Sequence, residues 1–327
     1  MNNDLCICLT ARMSSERLPG KAMRDVRGQP LIYWIVRRLS TITPNVVLAT
    51  TREPSDDALA AFVEAMRVPV YRGSTNDVVA RIDGALRAFH PDAKFVLRGL
   101  GDCPFMAGEL VTRAVDVMRK RSGDAFVWAL PPSVLPVYGA REFPFSRSAW
   151  QRIVANATGE EREHSDMYFH RNRKMFNILY HEPPVSAYFR DYRLEVDWQE
   201  DLDLIRSIAD RMALLSPLQD IIKYLDGDHR VALLNHERVE RTGPSTVSQA
   251  ERRSYYELMR GQPVVTWDDR LWQPPTDKAE PIFCNSGQCL LGYGDKGVLH
   301  RSTGDQIRGD AYVSCECGGG KRWKGLP

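Results

Sequence analysis

The chain has 327 residues, of which 43% are hydrophobic and 26% charged, a mixture that excludes a fibrous repeat or a long solvated tract. Its length predicts two compact domains, or one large domain with an appendage. Lysine and arginine outnumber aspartate and glutamate by 44 to 42, a net charge of +2, so no overall charge points to nucleic acid or to a membrane surface.

Residues 5–9 (Leu-Cys-Ile-Cys-Leu) predict a short buried strand that feeds a loop. A helix is expected from Pro30, whose fixed φ suits a first turn, with Leu31, Ile32, Trp34, Ile35 and Leu39 at helical spacing. Residues 46–50 read as a strand. Ser55 is the expected cap of the next helix, with Asp56 and Asp57 in its positive first turn. Residues 68–71 and 94–98 read as strands, separated by a helix that Asn76 or Asp77 opens and Phe89 ends. Residues 109–121 predict a helix and 125–129 a strand. Repeated β-α-β units of this length imply an α/β fold, a mostly parallel sheet with helices on both faces.

Prolines break up residues 131–190, where helices are expected over 146–157 and 160–173. Residues 193–197 look like a strand ending on Asp197. Residues 201–215 predict a helix, and Ser216-Pro217 restarts another through Leu225. Residues 236–279 lose periodicity and read as a linker, with one helix around 248–259. Residues 280–327 are rich in glycine and hold four of the seven cysteines. No apolar run approaches the roughly 18 residues of a membrane-crossing helix. The first residues lack the basic flank of a secretory signal, so the cysteines are expected as reduced thiols in the cytoplasm.

Two kinds of segment carry chemistry. Ala11-Arg-Met-Ser-Ser-Glu-Arg-Leu-Pro-Gly-Lys21 follows the first strand, where open α/β sheets bind ligands. Its cations Arg12, Arg17 and Lys21, among small and hydroxylated residues, suit a polyphosphate better than an ordinary surface loop. Asp102, in Arg98-Gly-Leu-Gly-Asp-Cys-Pro104, and Asp197, in Leu194-Glu-Val-Asp-Trp-Gln-Glu-Asp-Leu202, both end predicted strands. A lone aspartate there is often a cap or turn residue, but two can share a hard cation such as Mg²⁺ on substrate phosphates.

These segments, with Tyr71-Arg-Gly-Ser74, Asp77-Val78, Arg81 and Glu161-Arg-Glu-His164, resemble the cytidylyltransferases that activate acidic sugars. The likeness is to the spore-coat polysaccharide branch, related to the 3-deoxy-manno-octulosonate enzymes, and it covers roughly residues 4–235 in the family's order. It implies a Rossmann-like nucleotidyltransferase that moves CMP from CTP to an acidic sugar or related acceptor and releases pyrophosphate. By that resemblance Arg12, Arg17 and Lys21 hold the triphosphate, and Asp102 and Asp197 hold Mg²⁺. Ala11, Met13, Ser14, Arg72, Gly73, Ser74, Asp77 and Arg98 line the nucleotide side, while Glu163 and His164 lie near the acceptor pocket or a homodimer interface.

Departures from the family pattern fall on the acceptor half. Residues 139–146 read Gly-Ala-Arg-Glu-Phe-Pro-Phe-Ser, with Arg141 and Glu142 in place of an apolar-acidic pair. Leu100 replaces the threonine before Gly101-Asp102, and Trp198-Gln199 replace a helix-capping Thr-Pro. Arg141 is therefore assigned to the acceptor pocket, where it would bind a phosphate or phosphonate or pair with Glu142. A phosphonate or polyol-phosphate acceptor and a non-catalytic scaffold are the alternative readings. Cys284, Cys289, Cys315 and Cys317 form two close pairs in a segment with little core of its own, so a structural Zn²⁺ there is weighed against packed thiols. The domains expected are thus 1–235, a 236–279 linker, and a Cys-rich module over 280–327.

Overall fold

The computed structural model describes residues 2–128, 137–140, 143–181, 192–235, 264–265, 270–272, 280–283, 290–296, 298–301, 306–308, 310–314 and 320–324. Arg141, the helix expected at 248–259 and the cysteines Cys284, Cys289, Cys315 and Cys317 lie outside them. The chain divides into two units. The first comprises residues 1–126, 139–178 and 193–235, the second residues 127–138, 179–192 and 236–327. No described helix is long and apolar enough to cross a membrane.

In the first unit, β1 (Leu5–Thr10) pairs in parallel with β2 (Val46–Thr51) on one side and with β4 (Phe95–Leu100) on the other, and β3 (Val70–Gly73) pairs in parallel with β2. A short strand, β6 (Phe145–Ser146), runs antiparallel to β4 and pairs with the start of β5 (Ala125–Trp128). The order is therefore β5-β6-β4-β1-β2-β3. The chain steps outward from β1 to β3, then returns to place β4 on the other side of β1. The strand order thus reverses at β1, and the loops that leave the carboxyl ends of β1 and β4 stand side by side at the switch point, where open α/β sheets form their crevice. Every residue of β1 is buried, as an interior parallel strand requires.

Helices α1 (Leu31–Ile42), α2 (Asp57–Ala65), α3 (Val78–Phe89), α4 (Gly108–Arg121) and α5 (Arg147–Asn156) connect these strands, α1 packing with α4 and α3 with α5. Their bounds follow local chemistry. Asp77 caps α3, its Oδ1 accepting from the Ala80 N–H at 2.7 Å, and Ser146 caps α5 through the Ala149 N–H at 3.1 Å.

Three expectations fail locally. Ser55 does not cap α2; Asp56 sits at the cap position, buried, because its carboxylate gathers donors from both Thr50 and Thr51. Residues 160–173 break into a 3-10 turn, Gly159–Arg162, and a short helix, α6 (Met167–Arg171). A Thr158–Glu161 capping box fixes the first turn separately from the helix. Residues 194–196 carry no strand; they run beside Asp102, whose carbonyl accepts from the Val196 N–H at 2.8 Å. Helices α7 (Gln199–Arg211), α8 (Leu218–Gly227) and α9 (His229–Ala232) complete the unit.

In the second unit, residues Tyr180 and His181 of β7 (Ile178–His181) pair in parallel with β8 (Val264–Val265), which pairs antiparallel with β9 (Leu271–Trp272). Both short strands lie within the stretch read as a linker. An antiparallel sheet follows: β10 (Glu280–Phe283), β11 (Leu290–Asp295), β12 (Val298–His300) and β13 (Gln306–Arg308). The hairpin β14 (Asp310–Ser314) and β15 (Gly320–Lys324) ends the described chain. Leu299 and Val313 form a small core with Ile282, Ile307 and Trp323 against it.

Candidate active site

Residues 11–21 leave β1 as a folded loop. The Met13 carbonyl accepts from the N–H groups of Ser15 and Gly20, at 2.9 and 3.0 Å, and the Met13 N–H donates to the buried Asp56 carboxylate at 2.7 Å. Gly20 turns the chain at φ +70, a region glycine enters without strain. The loop after β4 lies against it, with the Gly101 N–H donating to the Thr10 carbonyl at 2.9 Å. A Cβ at Gly101 would stand 2.5 Å from that of Ala11, so only glycine allows the two loops to meet.

This junction places Lys21 among carboxylates. Its ammonium donates to Asp102 Oδ2 at 2.7 Å, to Asp197 Oδ1 at 3.1 Å and to the Val196 carbonyl at 2.9 Å. Burial works to lower the Lys21 pKa, but the charges of Asp102 and Asp197 outweigh it and raise the value. Arg17 also donates to Asp197 Oδ1, at 2.7 Å, while its guanidinium lies over the Trp198 ring at 5.7 Å. Carboxylate oxygens of Asp102, Glu195 and Asp197 come within 4.8 Å of one another. Burial, then the charges of Asp102 and Asp197, push the Glu195 carboxyl up to about 7. A cluster of hard oxygen donors this tight fits a divalent cation such as Mg²⁺.

Behind the cluster stands a buried support. Arg193 Nη2 donates to Asp197 Oδ2 at 2.6 Å, and its Nε lies 3.4 Å from Asp201 Oδ1. Asp201, fully buried, accepts from the N–H groups of Asp197 and Trp198, both at 2.9 Å. From the third position of α7 its carboxylate thereby ties down the cap residue Trp198, which stands where the family pattern has a threonine. Asn235 closes the cradle, donating to Asp201 Oδ1 at 2.8 Å and to the Arg193 carbonyl at 2.9 Å.

The crevice encloses about 540 Å³. Of the residues singled out in the sequence, Ala11, Arg12, Ser14, Arg17, Lys21, Arg98, Asp102, Glu163, His164 and Asp197 line it; Ser15, Glu16 and Arg81 join them. The other predicted residues make contacts of their own. Met13 pins the loop through its backbone. Arg72 donates to the carbonyls of Thr51 and Glu53, both at 2.8 Å, and pairs with Asp57 at 2.6 Å. Besides capping α3, Asp77 accepts from Arg162 at 2.6 Å. The Ser74 hydroxyl accepts from the Asp77 N–H at 3.1 Å, and Gly73 leaves room for Tyr71 and Arg81, whose atoms would lie 2.9 and 3.1 Å from a Cβ there.

Glu195 and Arg193 are absent from the sequence prediction; alternation along residues 193–197 puts both on the face of Asp197, and that is the signal that could have found them. Arg81 was visible as part of the family pattern, without a role. Cys6, Cys8 and Cys103 are buried and outside any disulfide among the described residues.

A sequence profile of the family described as cytidylyltransferase matches residues 6–221. The spore coat polysaccharide biosynthesis protein SpsF of Bacillus subtilis is 25% identical over 213 residues, 63% of this chain and 86% of that protein. The 3-deoxy-manno-octulosonate cytidylyltransferase of Azorhizobium caulinodans is 30% identical over 194 residues, 58% of this chain and 73% of its own. A cytidylyltransferase structure from Leptospira borgpetersenii superposes with a TM-score of 0.64 at 24% identity, over 70% of this chain and 97% of that one, a likeness of fold. With the profile spanning the unit that builds the crevice, the chain belongs to the cytidylyltransferase family and is a CTP-dependent enzyme.

Proposed function

We propose that the chain transfers CMP from CTP to an acidic sugar or a related acceptor, releasing pyrophosphate. The observation that carries the reading is the meeting of Lys21 with Asp102 and Asp197 in a crevice at the carboxyl ends of β1 and β4. An acceptor hydroxyl oxygen attacks the α-phosphorus, the bond to the pyrophosphate oxygen breaks, and the hydroxyl proton is released. Such a reaction asks the protein mainly for alignment and for neutralisation of spreading negative charge. Arg12, Arg17 and Lys21 would hold the triphosphate and meet the charge that develops on the leaving group. Asp102 and Asp197, with Glu195, would hold Mg²⁺, which when bound supplies positive charge to the α-phosphate and the incoming oxygen. Pyrophosphate release, measured with each nucleoside triphosphate across a panel of acceptors, tests the reading. Turnover with CTP alone is expected; release from another triphosphate with none from CTP would overturn it.

Two further assignments accompany it. The chain works as a homodimer, which light scattering of the purified protein checks. One Zn²⁺ would be held by Cys284, Cys289, Cys315 and Cys317, a reading supported by their two close pairs in a glycine-rich segment. Elemental analysis should find about one equivalent of zinc per chain; its absence from protein purified without chelator would leave these residues as thiols.

A further inference from the structure

The cations lining the crevice divide into two sets. Arg17 and Lys21 are bound tightly to carboxylates, at 2.7 to 3.1 Å. Arg98 is not. Its Nε lies 3.4 Å from the Thr10 hydroxyl, and its Nη1 3.5 Å from the Ser165 hydroxyl and 3.9 Å from an Asp166 oxygen, all at the outer limit of such contacts. Asp166 itself is shared with His170, at 3.7 Å. Among the described residues Arg98, which lines the crevice, therefore has only these long contacts.

Arg81 lines the same crevice and is only 4% exposed. Its Nη1 donates to the Ser74 and Thr75 carbonyls, at 2.7 and 3.4 Å, but its Nε has no hydrogen-bond partner among the described residues. Burial, then the charges of Arg12 and Arg98, lower its pKa to about 10, and the pull of Asp56 and Asp77 does not compensate. A buried guanidinium beside two others is costly unless an anion joins them. Holding the turn at residues 74–75 needs only Nη1, and does not account for Arg98.

We propose that Arg98 and Arg81 form the acceptor's anion subsite, and that the group it takes is a dianion, a phosphonate or a phosphate monoester, in preference to a lone carboxylate. This rests on the cytidylyl-transfer reading, in which Arg12, Arg17 and Lys21 serve the triphosphate. A carboxylate presents two oxygens and is satisfied by one guanidinium fork. A tetrahedral dianion presents three, enough for two arginines and a hydroxyl. Arg98 stands on β4, four residues before Asp102, on the strand whose end faces the reacting phosphate. The Glu163 carboxylate, also on the crevice wall, leaves the acceptor's uncharged portion a polar neighbour.

Calorimetric titration of the full chain tests this with methylphosphonate and acetate as probes, each alone and with saturating α,β-methylene-CTP and Mg²⁺. Methylphosphonate should bind about tenfold more tightly than acetate, equally with and without the nucleotide analogue. Although the family resemblance places Arg98 on the nucleotide side, Arg98→Gln, at a partly exposed position, should weaken methylphosphonate by about tenfold and the analogue by much less. Arg81→Met, checked first for an intact thermal transition, should act alike. Equal binding of the two probes, or no effect of Arg98→Gln, overturns the proposal. Displacement of methylphosphonate by the analogue also overturns it, since the arginines would then belong to the nucleotide's own phosphates. Failure of the analogue to bind, with methylphosphonate binding retained, counts against cytidylyl transfer and not against the subsite.

Discussion

Asp197 carries three cations on two oxygens: Arg17 and Lys21 on Oδ1, Arg193 on Oδ2. The partners differ in kind. Arg193 is 3% exposed and fixed from below, so Oδ2 is committed to structure and Oδ1 is the oxygen offered to the crevice. Arg17 is half exposed, and its pair with Asp197 is screened by water. Arg193→Gln, which strands two buried carboxylates, is accordingly expected to cost about 3 kcal/mol in urea unfolding, while Arg17→Gln costs less than about 1 kcal/mol. Equal losses would mean that the buried cradle does not carry the load assigned to it. Lys21 occupies the third place. Its ammonium is bound to Asp102 and Asp197, and in the proposed reaction it would meet the leaving pyrophosphate. Lys21→Ala should therefore lower kcat by about 10²- to 10³-fold with a smaller change in the KM for CTP. A rise in KM alone would assign Lys21 to ground-state binding. Asp102→Asn and Asp197→Asn should each abolish pyrophosphate release while the protein keeps its far-ultraviolet circular dichroism.

Among the elements, the loop of residues 11–21 depends on a residue outside it. Asp56, 1% exposed, accepts from the Thr50 hydroxyl, the Thr51 hydroxyl and N–H, and the Met13 N–H, so one carboxylate ties β2, the start of α2 and the loop together. Burial alone would raise its pKa; the hydrogen bonds from Thr51, Met13 and Thr50 outweigh it and hold the value below 3.8. A lowered carboxylate pKa contributes stability that is complete above the unfolded value and lost as pH falls through the folded one. Asp56→Ala should cost about 3 kcal/mol at neutral pH, with the deficit relative to the natural protein shrinking below about pH 4. A deficit constant from pH 7 to pH 3 would show that the carboxylate's charge is not what binds these donors. The same residue marks a limit of sequence reading. The helix start at residues 55–57 is legible, but the choice between Ser55 and Asp56 as its cap rests on a tertiary bond to Met13. Asp77 shows the converse: local spacing offers Asn76 or Asp77 as the cap of α3, and the structure has Asp77, whose Oδ1 caps the helix while Oδ2 accepts from Arg162. The strands and helices to Arg121 were legible because hydrophobic periodicity and β-α-β alternation are local signals. The segment at residues 193–197 was not, because its apolar alternation describes burial of Leu194 and Val196 and not pairing in a sheet.

For the whole molecule, the relevant question is where the chain can be cut. Its composition changes after Asn235, which suggests a boundary there. The compact units are divided otherwise, since the second takes residues 127–138 and 179–192 from within the first two-thirds of the chain. Tyr180 and His181, 4% and 0% exposed, pair with Val264 and Val265, and Val265 is itself buried. A chain ending at residue 235 would keep Tyr180 and His181 but lose the strand beside them, leaving unpaired backbone groups and buried side chains on an open edge. Such an edge is a template for pairing with other chains. The truncated protein should therefore unfold several degrees below the full chain and self-associate as its concentration is raised, with the crevice residues of the first unit all still present. Thermal unfolding and size-exclusion chromatography of the two proteins, compared over a concentration series, measure both effects. If the truncated chain instead melts at the temperature of the full one and elutes identically at every concentration, residues 236–327 are dispensable to the strand at 178–181.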